Sequence, residues 1–371
     1  MILSEESKSP LNDKIEKGPS RLPCLFSIVI PVRNEEENIR KCLDSVRRMK
    51  FARELFEIIV VDNGSTDQTK EVASTFRESL SLQVLDRPNV YIAAVRNAGA
   101  AVARGRYLAF LDADCEVRPD WLSVAAEVLS EDNAGVCGAF YLIPEGSSWI
   151  ARHWYQIREI KPAGEVSYLP AGDLFVSRQV LDKIHGFDES IQTNEDYEFC
   201  QRVRAAGLPI RCEPRLGVVH WGTPQSLSAF FKKNRWHGMH VFRVFLRNLP
   251  ALHNFKAVAL AVYTLVCVLG VLTGALVVIR SGDFRMLGAF MVATLSPAVL
   301  LGLHTAISSR RLQAALPMTV LYLTYAFART CCLVDWRNWV KHRNEGVERS
   351  RLTGLAGFNR KAKPGPSSDP A

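Results

Sequence analysis

The sequence lacks the marks of a secreted, disulfide-linked or nucleic-acid-binding protein. Residues 1–24 contain no unbroken apolar run of the kind found in signal peptides, so we expect them to be disordered and the following domain to remain cytoplasmic. The nine cysteines show no C-x-x-C spacing, which predicts reduced thiols. The net charge of +8 comes without zinc-finger, helix-turn-helix or ribonucleoprotein patterns. No nucleic-acid partner is therefore predicted, and the basic residues that flank apolar segments suit anionic lipid instead.

Apolar runs alternate with amphipathic segments in the first part of the chain. Short apolar runs predict strands at 25–31, 57–62, 83–86 and 106–111. Apolar spacing and capping residues predict helices at 35–50, from 65 to about 77, and at 93–103. Strands that alternate with helices form parallel sheets with right-handed crossovers. The sequence therefore predicts an α/β domain over residues 25–250, with a mostly parallel sheet flanked by helices.

Polar residues stand directly at the ends of three predicted strands. Arg33 and Asn34 follow the first strand, Asp62 ends the second, and Asp112 and Asp114 follow the strand at 106–111. Ligands of open parallel sheets bind beyond the carboxyl ends of the strands. These side chains are therefore predicted to meet at one rim of the sheet.

The D-x-D pair at this rim carries the clearest chemistry. Asp112 and Asp114 leave the sheet edge together and can hold Mg²⁺ or Mn²⁺, which prefer oxygen ligands, beside a diphosphate. The alternative for this pair is a solvated turn. Asp62 can accept hydrogen bonds from a base or a ribose, and its alternative is an aspartate that stabilises a turn before a helix.

Four segments in the same order resemble family 2 glycosyltransferases. They are SIVIPVRNEEENIRKCLDSV at 27–46, EIIVVDNGSTDQT at 57–69, RNAGAAVARGRYLAFLDADC at 96–115 and NEDYEFCQRVRAAG at 194–207. The resemblance implies a GT-A fold, a nucleotide-diphosphate-sugar donor, a divalent metal cation and inversion at the anomeric carbon.

The resemblance also assigns donor residues. It implies that the following residues bind the nucleotide sugar: Pro31, Arg33, Glu35, Asp62, Arg96, Asp112 and Asp114. Within this set it places Asp62 near the base, and Asp112 with Asp114 at the metal and ribose. The alternatives are a solvated helix start for Arg33 and Glu35 and a surface ion pair for Arg96.

An acidic pair, Glu195-Asp196, matches the catalytic acidic residues of the family. The resemblance implies that Asp196 is the base that takes the proton of the acceptor hydroxyl group. The alternative is that both carboxylates only favour the N-terminus of a helix through its dipole.

One further segment is a candidate for the acceptor side, and one histidine is a candidate for the metal. The segment at 171–175 resembles the family's acceptor-lining segment, which implies acceptor contacts for Gly172 and Asp173. His220 follows an apolar run and is predicted either to reach the metal or diphosphate or to be a structural histidine.

Arg235-Trp236 is similar to the last two letters of the Q-x-x-R-W signature of processive polysaccharide synthases, and it is a candidate for acceptor binding. Lys232 stands where that signature has glutamine. The alternative is an amphipathic helix on the membrane surface. Its apolar residues would be Phe230, Phe231, Trp236, Met239 and Phe242.

The apolar excess of the chain lies in residues 251–335. Segments 257–279 and 286–307 are long enough to span a bilayer. Segment 312–334 contains Pro317 and Arg329, so we expect it to be interfacial or re-entrant, and the basic residues 336–371 to form a cytoplasmic tail.

Together these features predict a multi-pass enzyme of the inner or plasma membrane with a cytoplasmic catalytic domain. It would transfer a sugar to a lipid-linked or other membrane-bound saccharide acceptor. A processive synthase and a catalytically inactive binding module of the same fold are the two alternatives.

Overall fold

The computed structural model describes residues 24–130, 135–159, 162–238 and 255–334. The chain divides into two compact units, one formed by Met1–Ser226 with Thr305–Pro317 and the other by Leu227–His304 with Met318–Ala371. The first unit gives way to the second at Ser226, before the domain end predicted at residue 250. The predicted N-terminal disorder and the basic tail at 336–371 lie outside the described residues.

An eight-stranded sheet forms the centre of the first unit. Its strands are β1 Phe26–Val32, β2 Phe56–Asp62, β3 Leu82–Asp86, β4 Tyr107–Leu111, β6 Val136–Gly138, β7 Gly164–Glu165, β8 Asp173–Ser177 and β9 Ile210–Cys212, in the order β3-β2-β1-β4-β8-β6-β9-β7. The first four pair in parallel, and β8 pairs antiparallel with β4. The predicted mostly parallel α/β sheet is confirmed.

Helices cover both faces of this sheet. They are α1 Glu36–Arg47, α2 Thr69–Ser74, α3 Ile92–Val102, α4 Trp121–Ser130, α5 Trp149–Ala151 (continued by a π-helix at Arg152–Glu159), α6 Arg178–Lys183 and α7 Glu195–Ala205. Along β1, Ile28 and Ile30 join the core under α1, whereas Val29 joins the core under α3. This alternation explains why the strand is apolar throughout: it is buried on both faces.

A separate two-stranded pair completes the first unit. β5, Cys115–Glu116, and β10, Val219–His220, run antiparallel, and His220 stands opposite Cys115. The pair brings a late segment of the chain back to the D-x-D turn.

All nine cysteines are free thiols, as predicted from their spacing. Most are buried in the core, where a thiol packs as a small apolar group.

Four helices complete the described chain: α8 Leu227–Gly238, α9 Phe255–Ser281, α10 Arg285–Ser308 and α11 Ala315–Val334. The last three, α11 together with the short turn that precedes it from Leu312, are long and apolar enough to cross a membrane. Pro317 lies in the first turn of α11, where a proline removes no helical hydrogen bond and so does not interrupt the helix.

Small residues bring α9 close to α10. A Cβ at Gly274 would lie 2.8 Å from the backbone of Leu287, and the bare face of Gly270 contacts the ring of Phe290. Close backbone approach at glycine is typical of helix pairs in membranes.

Candidate active site

The carboxyl ends of β1, β2 and β4 meet at one edge because these strands are parallel. Val32 pairs with Asp62 at the ends of β1 and β2, and Asp112 follows the last residue of β4. The predicted rim therefore exists, and Arg33, Asp62 and Asp112 all stand on it.

Asp62 stabilises a turn and keeps one oxygen for another partner. Its Oδ2 accepts hydrogen bonds from the backbone N–H groups of Gly64, at 2.9 Å, and Ser65, at 3.0 Å. Its Oδ1 is buried and has no hydrogen-bond partner among the described residues. Asp62 thus stabilises a turn, as one alternative predicted. Its Oδ1 is still available to accept a hydrogen bond from a base or a ribose, as the other alternative requires.

The loop after β1 is tied to the loop after β2. Asn34 adopts a positive φ of 54°, its N–H donates to Ser65 Oγ at 3.0 Å, and its Oδ1 accepts from Thr66 N at 2.8 Å. Glu35 N donates to Thr69 Oγ1 at 2.9 Å. These bonds fix the loop that presents Arg33, whose side chain is exposed.

Glu35 and Pro31 occupy different environments within this region. Burial, opposed by the hydrogen bond from Asn38, raises the pKa of Glu35, and the charge of Asp114 adds to the rise. Pro31 is buried inside β1. Of the predicted nucleotide residues in this segment, Arg33 is therefore the most exposed, and Glu35 is partly buried.

Arg96, on α3, joins two of the predicted site carboxylates. Its Nη2 donates to Asp112 Oδ1 at 2.9 Å and its Nη1 to Glu195 Oε1 at 2.5 Å, and it is only 3% exposed. Burial alone would lower the pKa of Arg96, but these carboxylates outweigh it and raise the pKa above its usual value. The alternative of a surface ion pair is wrong, because the Arg96 side chain is buried where it meets both carboxylates.

Tyr141, which no sequence motif indicated, holds the other oxygen of Asp112. Its hydroxyl group donates to Asp112 Oδ2 at 3.1 Å and accepts from Gly172 N at 3.1 Å. A Cβ at position 172 would collide with both Asp112 Oδ2 and the tyrosine hydroxyl group. Gly172 is therefore required for this contact, whatever it does toward an acceptor.

The other aspartate of the D-x-D turn pairs with His220 instead. Asp114 Oδ2 lies 3.3 Å from His220 Nε2, and the imidazole stacks on Tyr141 with ring centroids 4.4 Å apart. Ligand atoms of Asp114, Cys115 and His220 lie within 4.8 Å of one another. The two aspartates thus differ in place: Asp112 faces Arg96, and Asp114 faces the histidine.

The Asp114–His220 group fits a divalent cation. A carboxylate oxygen and an imidazole nitrogen are ligands that Mn²⁺ accepts. Asp112 lies two positions before Asp114 on the same turn. Burial raises the pKa of the Cys115 thiol well above its usual value, which disfavours the thiolate form that binds metals. Asp114 and His220 are therefore the members of this group that could hold a cation, whereas the Cys115 thiol suits packing.

Glu195 and Asp196 begin α7, as the sequence predicted. Asn194, with a φ of 63°, turns the chain sharply before them. Asp196 Oδ1 accepts from Tyr197 N at 2.7 Å. Burial, followed by the negative charge of Glu195, raises the pKa of Asp196 to about 7. A carboxylate with such a pKa is a stronger base than an ordinary aspartate near neutral pH.

The other predicted acceptor residues, Asp173, Arg235 and Trp236, have different surroundings. Asp173 is fully buried and accepts from Trp121 Nε1 at 3.1 Å, and burial raises the pKa of its carboxyl group well above the usual value. Arg235 and Trp236 lie on α8 in the second unit, both exposed.

The apolar residues considered for a membrane-surface face of α8 differ in their exposure. Phe230 is buried with Asn234 and Gly238, whereas Trp236 is 44% exposed. Met239 and Phe242 lie outside the described residues.

The chain is similar to known proteins in this same region. Residues 27–184 match the model of the family described as glycosyl transferase family 2. Glycosyltransferase AglE of Haloferax volcanii is 31% identical over 198 residues, which cover 52% of this chain and 64% of that protein. The pre-mycofactocin glycosyltransferase of Mycobacterium tuberculosis is 29% identical over 214 residues, 55% of this chain and 43% of that protein. The chain thus spans less than two thirds of the length of these curated relatives.

A solved structure shares the fold. The mannosyltransferase PcManGT of Pyrobaculum calidifontis, in complex with GDP-Man and Mn²⁺, superposes with a TM-score of 0.54 at 16% sequence identity. The match covers 86% of this chain and 92% of that one. The predicted GT-A fold is confirmed.

Proposed function

Because residues 27–184 belong to glycosyl transferase family 2, we propose that the chain transfers a sugar from a nucleotide-diphosphate sugar to a hydroxyl group of a membrane-bound acceptor. The reaction inverts the anomeric carbon and uses Mg²⁺ or Mn²⁺. The acceptor is a lipid-linked saccharide in the synthesis of a cell-surface glycan or glycolipid.

The observation that carries this proposal is the double ion pair of Arg96. One guanidinium group holds Asp112, on the donor side of the rim, and Glu195, the neighbour of the proposed base. Side chains that are locked by such pairs are preorganised, which keeps reacting groups in position without further ordering. The donor side of the rim and the neighbour of the proposed base are therefore joined by one arginine.

Asp196 acts as the general base of the proposed reaction. It takes the proton of the acceptor hydroxyl group as that oxygen forms a bond to the anomeric carbon and the bond to the nucleoside diphosphate breaks. Attack on the side opposite the leaving group inverts the configuration. The raised pKa of Asp196 supports this role, because a base with a pKa near the working pH is both ionised and basic enough.

The donor side is assigned to the remaining rim residues. The unpaired Oδ1 of Asp62 accepts from the base, and the exposed Arg33 lies on the fixed loop beside it. Asp114 and His220 would hold the cation, which would offset the negative charge of the departing diphosphate.

The membrane part of the proposal rests on the three long apolar helices. We place the first unit in the cytoplasm, where nucleotide sugars are made, and the loop between α9 and α10 outside. Two or three crossings are few for a conduit, which favours single addition over the processive alternative. A cysteine introduced at Ser367 of a cysteine-free variant in sealed vesicles should resist an impermeant reagent, and ready labelling there would contradict the interfacial third helix.

The experiment that tests the activity is a screen of nucleotide sugars against the purified full chain. Release of nucleoside diphosphate should require Mg²⁺ or Mn²⁺ and one class of donor. Asp114→Ala should abolish the metal dependence of donor binding, because it removes a proposed ligand without touching the buried strand β4.

A matched control is Asp120→Asn, which alters an exposed carboxylate that pairs with Arg118 away from the rim. It should behave like the wild type. A folded Asp114→Ala protein with normal metal-dependent turnover would refute the metal assignment. Absence of any turnover in the wild type with every donor would favour the inactive binding module.

A further inference from the structure

Arg329, on α11, carries buried guanidinium atoms without hydrogen-bond partners. It lies five residues before the helix ends at Val334. Its Nε and Nη1 are shielded from solvent and make no hydrogen bond with any described residue. Arginine stays charged at every physiological pH, and a buried charge is costly unless it is paired. These donors therefore favour an anionic partner.

The guanidinium group is held in one place by its neighbours on α11 and α8. It lies over the ring of Tyr325, with its Cζ atom 4.8 Å from the ring centroid. A Cβ at Gly238 would lie 3.1 Å from both Cδ and Nη1 of Arg329. The glycine thus allows the arginine to pack against the backbone of α8, which fixes the direction of its donors.

The surroundings of Arg329 are positively charged. Burial, and then the charges of Lys233 and Arg329, lower the pKa of His237 to about 4, so this histidine is neutral at pH 7. Both cations therefore act on the same point of α8. They form what we call the basic cluster, Lys233 and Arg329 around the neutral His237.

Within the second unit, no described carboxylate is available to Arg329. Among its described residues, Asp283 is the sole acidic one, and it lies in the loop after α9. Thr330 Oγ1 donates to Ala261 O at 3.1 Å, which places Arg329 beside the first turns of α9. At 1.5 Å per residue Asp283 is therefore about 30 Å away along that helix.

We propose that the basic cluster binds the phosphate group of a membrane lipid, in the form of a phosphomonoester. The planar fork of arginine matches phosphate oxygens, and lysine adds a second positive charge. Arg329 lies on α11 beside α9, and both helices are apolar enough to lie in a bilayer. We therefore assign the ligand to a lipid.

The test measures lipid binding by the full chain, without donor or acceptor. The protein, purified in neutral detergent, is titrated with phosphatidic acid, phosphatidylglycerol or inorganic phosphate, and bound lipid is counted by native mass spectrometry. We expect phosphatidic acid to bind the wild type, and Arg329→Gln to weaken that binding by about 10- to 100-fold, the usual effect of losing a charged hydrogen-bonding group. Arg329→Lys should fall between them, since it keeps the charge but loses the fork.

The matched control is Arg280→Gln, which removes the same charge from the exposed far end of α9. It should bind phosphatidic acid like the wild type. Equal binding by Arg329→Gln and wild type would overturn the proposal. So would equal affinity for phosphatidylglycerol, which would indicate a general anionic surface, or equal affinity for inorganic phosphate, which would remove the lipid. Failure here would leave the nucleotide-sugar screen unaffected, so the two proposals are tested separately.

Discussion

Two buried arginines, Arg96 and Arg329, show how differently the two units treat the same side chain. Arg96 makes two charged hydrogen bonds, to Asp112 and Glu195. Arg329 has an aromatic ring beneath it and two buried donor atoms without a partner among the described residues. A paired arginine organises the side chains around it, whereas an unpaired one is suited to capture an anion from outside.

The difference extends to the charges around each arginine. The rim of the first unit gathers carboxylates: burial and then the charge of Glu195 raise the pKa of Asp196, and a donor phosphate would need a cation in order to approach. The described part of the second unit contains a single acidic residue, far from Arg329 along α9. The first environment suits proton transfer, and the second suits anion binding.

The largest expected effect is the difference in stability between two variants, each of which loses one of these arginine charges. Arg96→Gln leaves Asp112 and Glu195 without their cation, so we expect a loss of about 3 kcal/mol of stability, the low end for a broken buried pair because Asp112 is 25% exposed. Arg329→Gln removes a charge that has no carboxylate partner among the described residues of the second unit, so without added lipid its thermal midpoint should not fall.

Thermal unfolding of wild type and both variants in the same lipid-free detergent gives the midpoints to be compared. An equal fall in both midpoints would show that Arg329 has a structural partner, and would break the contrast. No fall with Arg96→Gln would show that its ion pairs do not hold the rim together.

A smaller change should separate the two sides of the rim. Tyr141→Phe removes the hydroxyl group from Asp112 and Gly172 but keeps the ring that stacks on His220. We expect the KM for the donor to rise by about 3- to 10-fold, in line with roughly 1 kcal/mol for one hydrogen bond. The metal concentration needed for half activity should not change.

Tyr141→Leu is the companion variant, because it also removes the stacking ring. It should raise the metal requirement as well as the donor KM. Steady-state kinetics with varied donor and varied Mn²⁺ distinguish the two effects. A shift in metal requirement with Tyr141→Phe would show that the hydroxyl group, rather than the ring, positions His220.

The sequence predicted those parts of the site that follow from local pattern. Apolar runs ending in polar residues gave β1, β2 and β4, and parallel pairing then put Asp62 and Asp112 on one rim. The acidic start of α7 was predicted for the same reason, since a helix start is a local feature. The GT-A fold followed from the order of the four segments.

Features that depend on distant segments could not be predicted from the sequence. Tyr141 lies in no motif, and only the fold brings its hydroxyl group to Asp112. His220 was expected either at the metal or diphosphate or as a structural histidine, and its contact with Asp114 depends on the pairing of β10 with β5, which such short strands do not predict. For Arg96, the sequence could not distinguish a surface ion pair from the buried bridge, because its partner Glu195 lies on a helix far along the chain.

The most direct test of the account is the pH dependence of kcat/KM for transfer. Asp196 must be ionised to accept a proton, and its pKa is raised to about 7. We therefore expect kcat/KM to rise tenfold per pH unit below pH 7 and to level off above it. Asp196→Asn should lower transfer by about two to four decades, remove this dependence and leave donor affinity unchanged. A wild-type profile that is already flat above pH 5, or the same rise near pH 7 in Asp196→Asn, would contradict the assignment of Asp196 as the base.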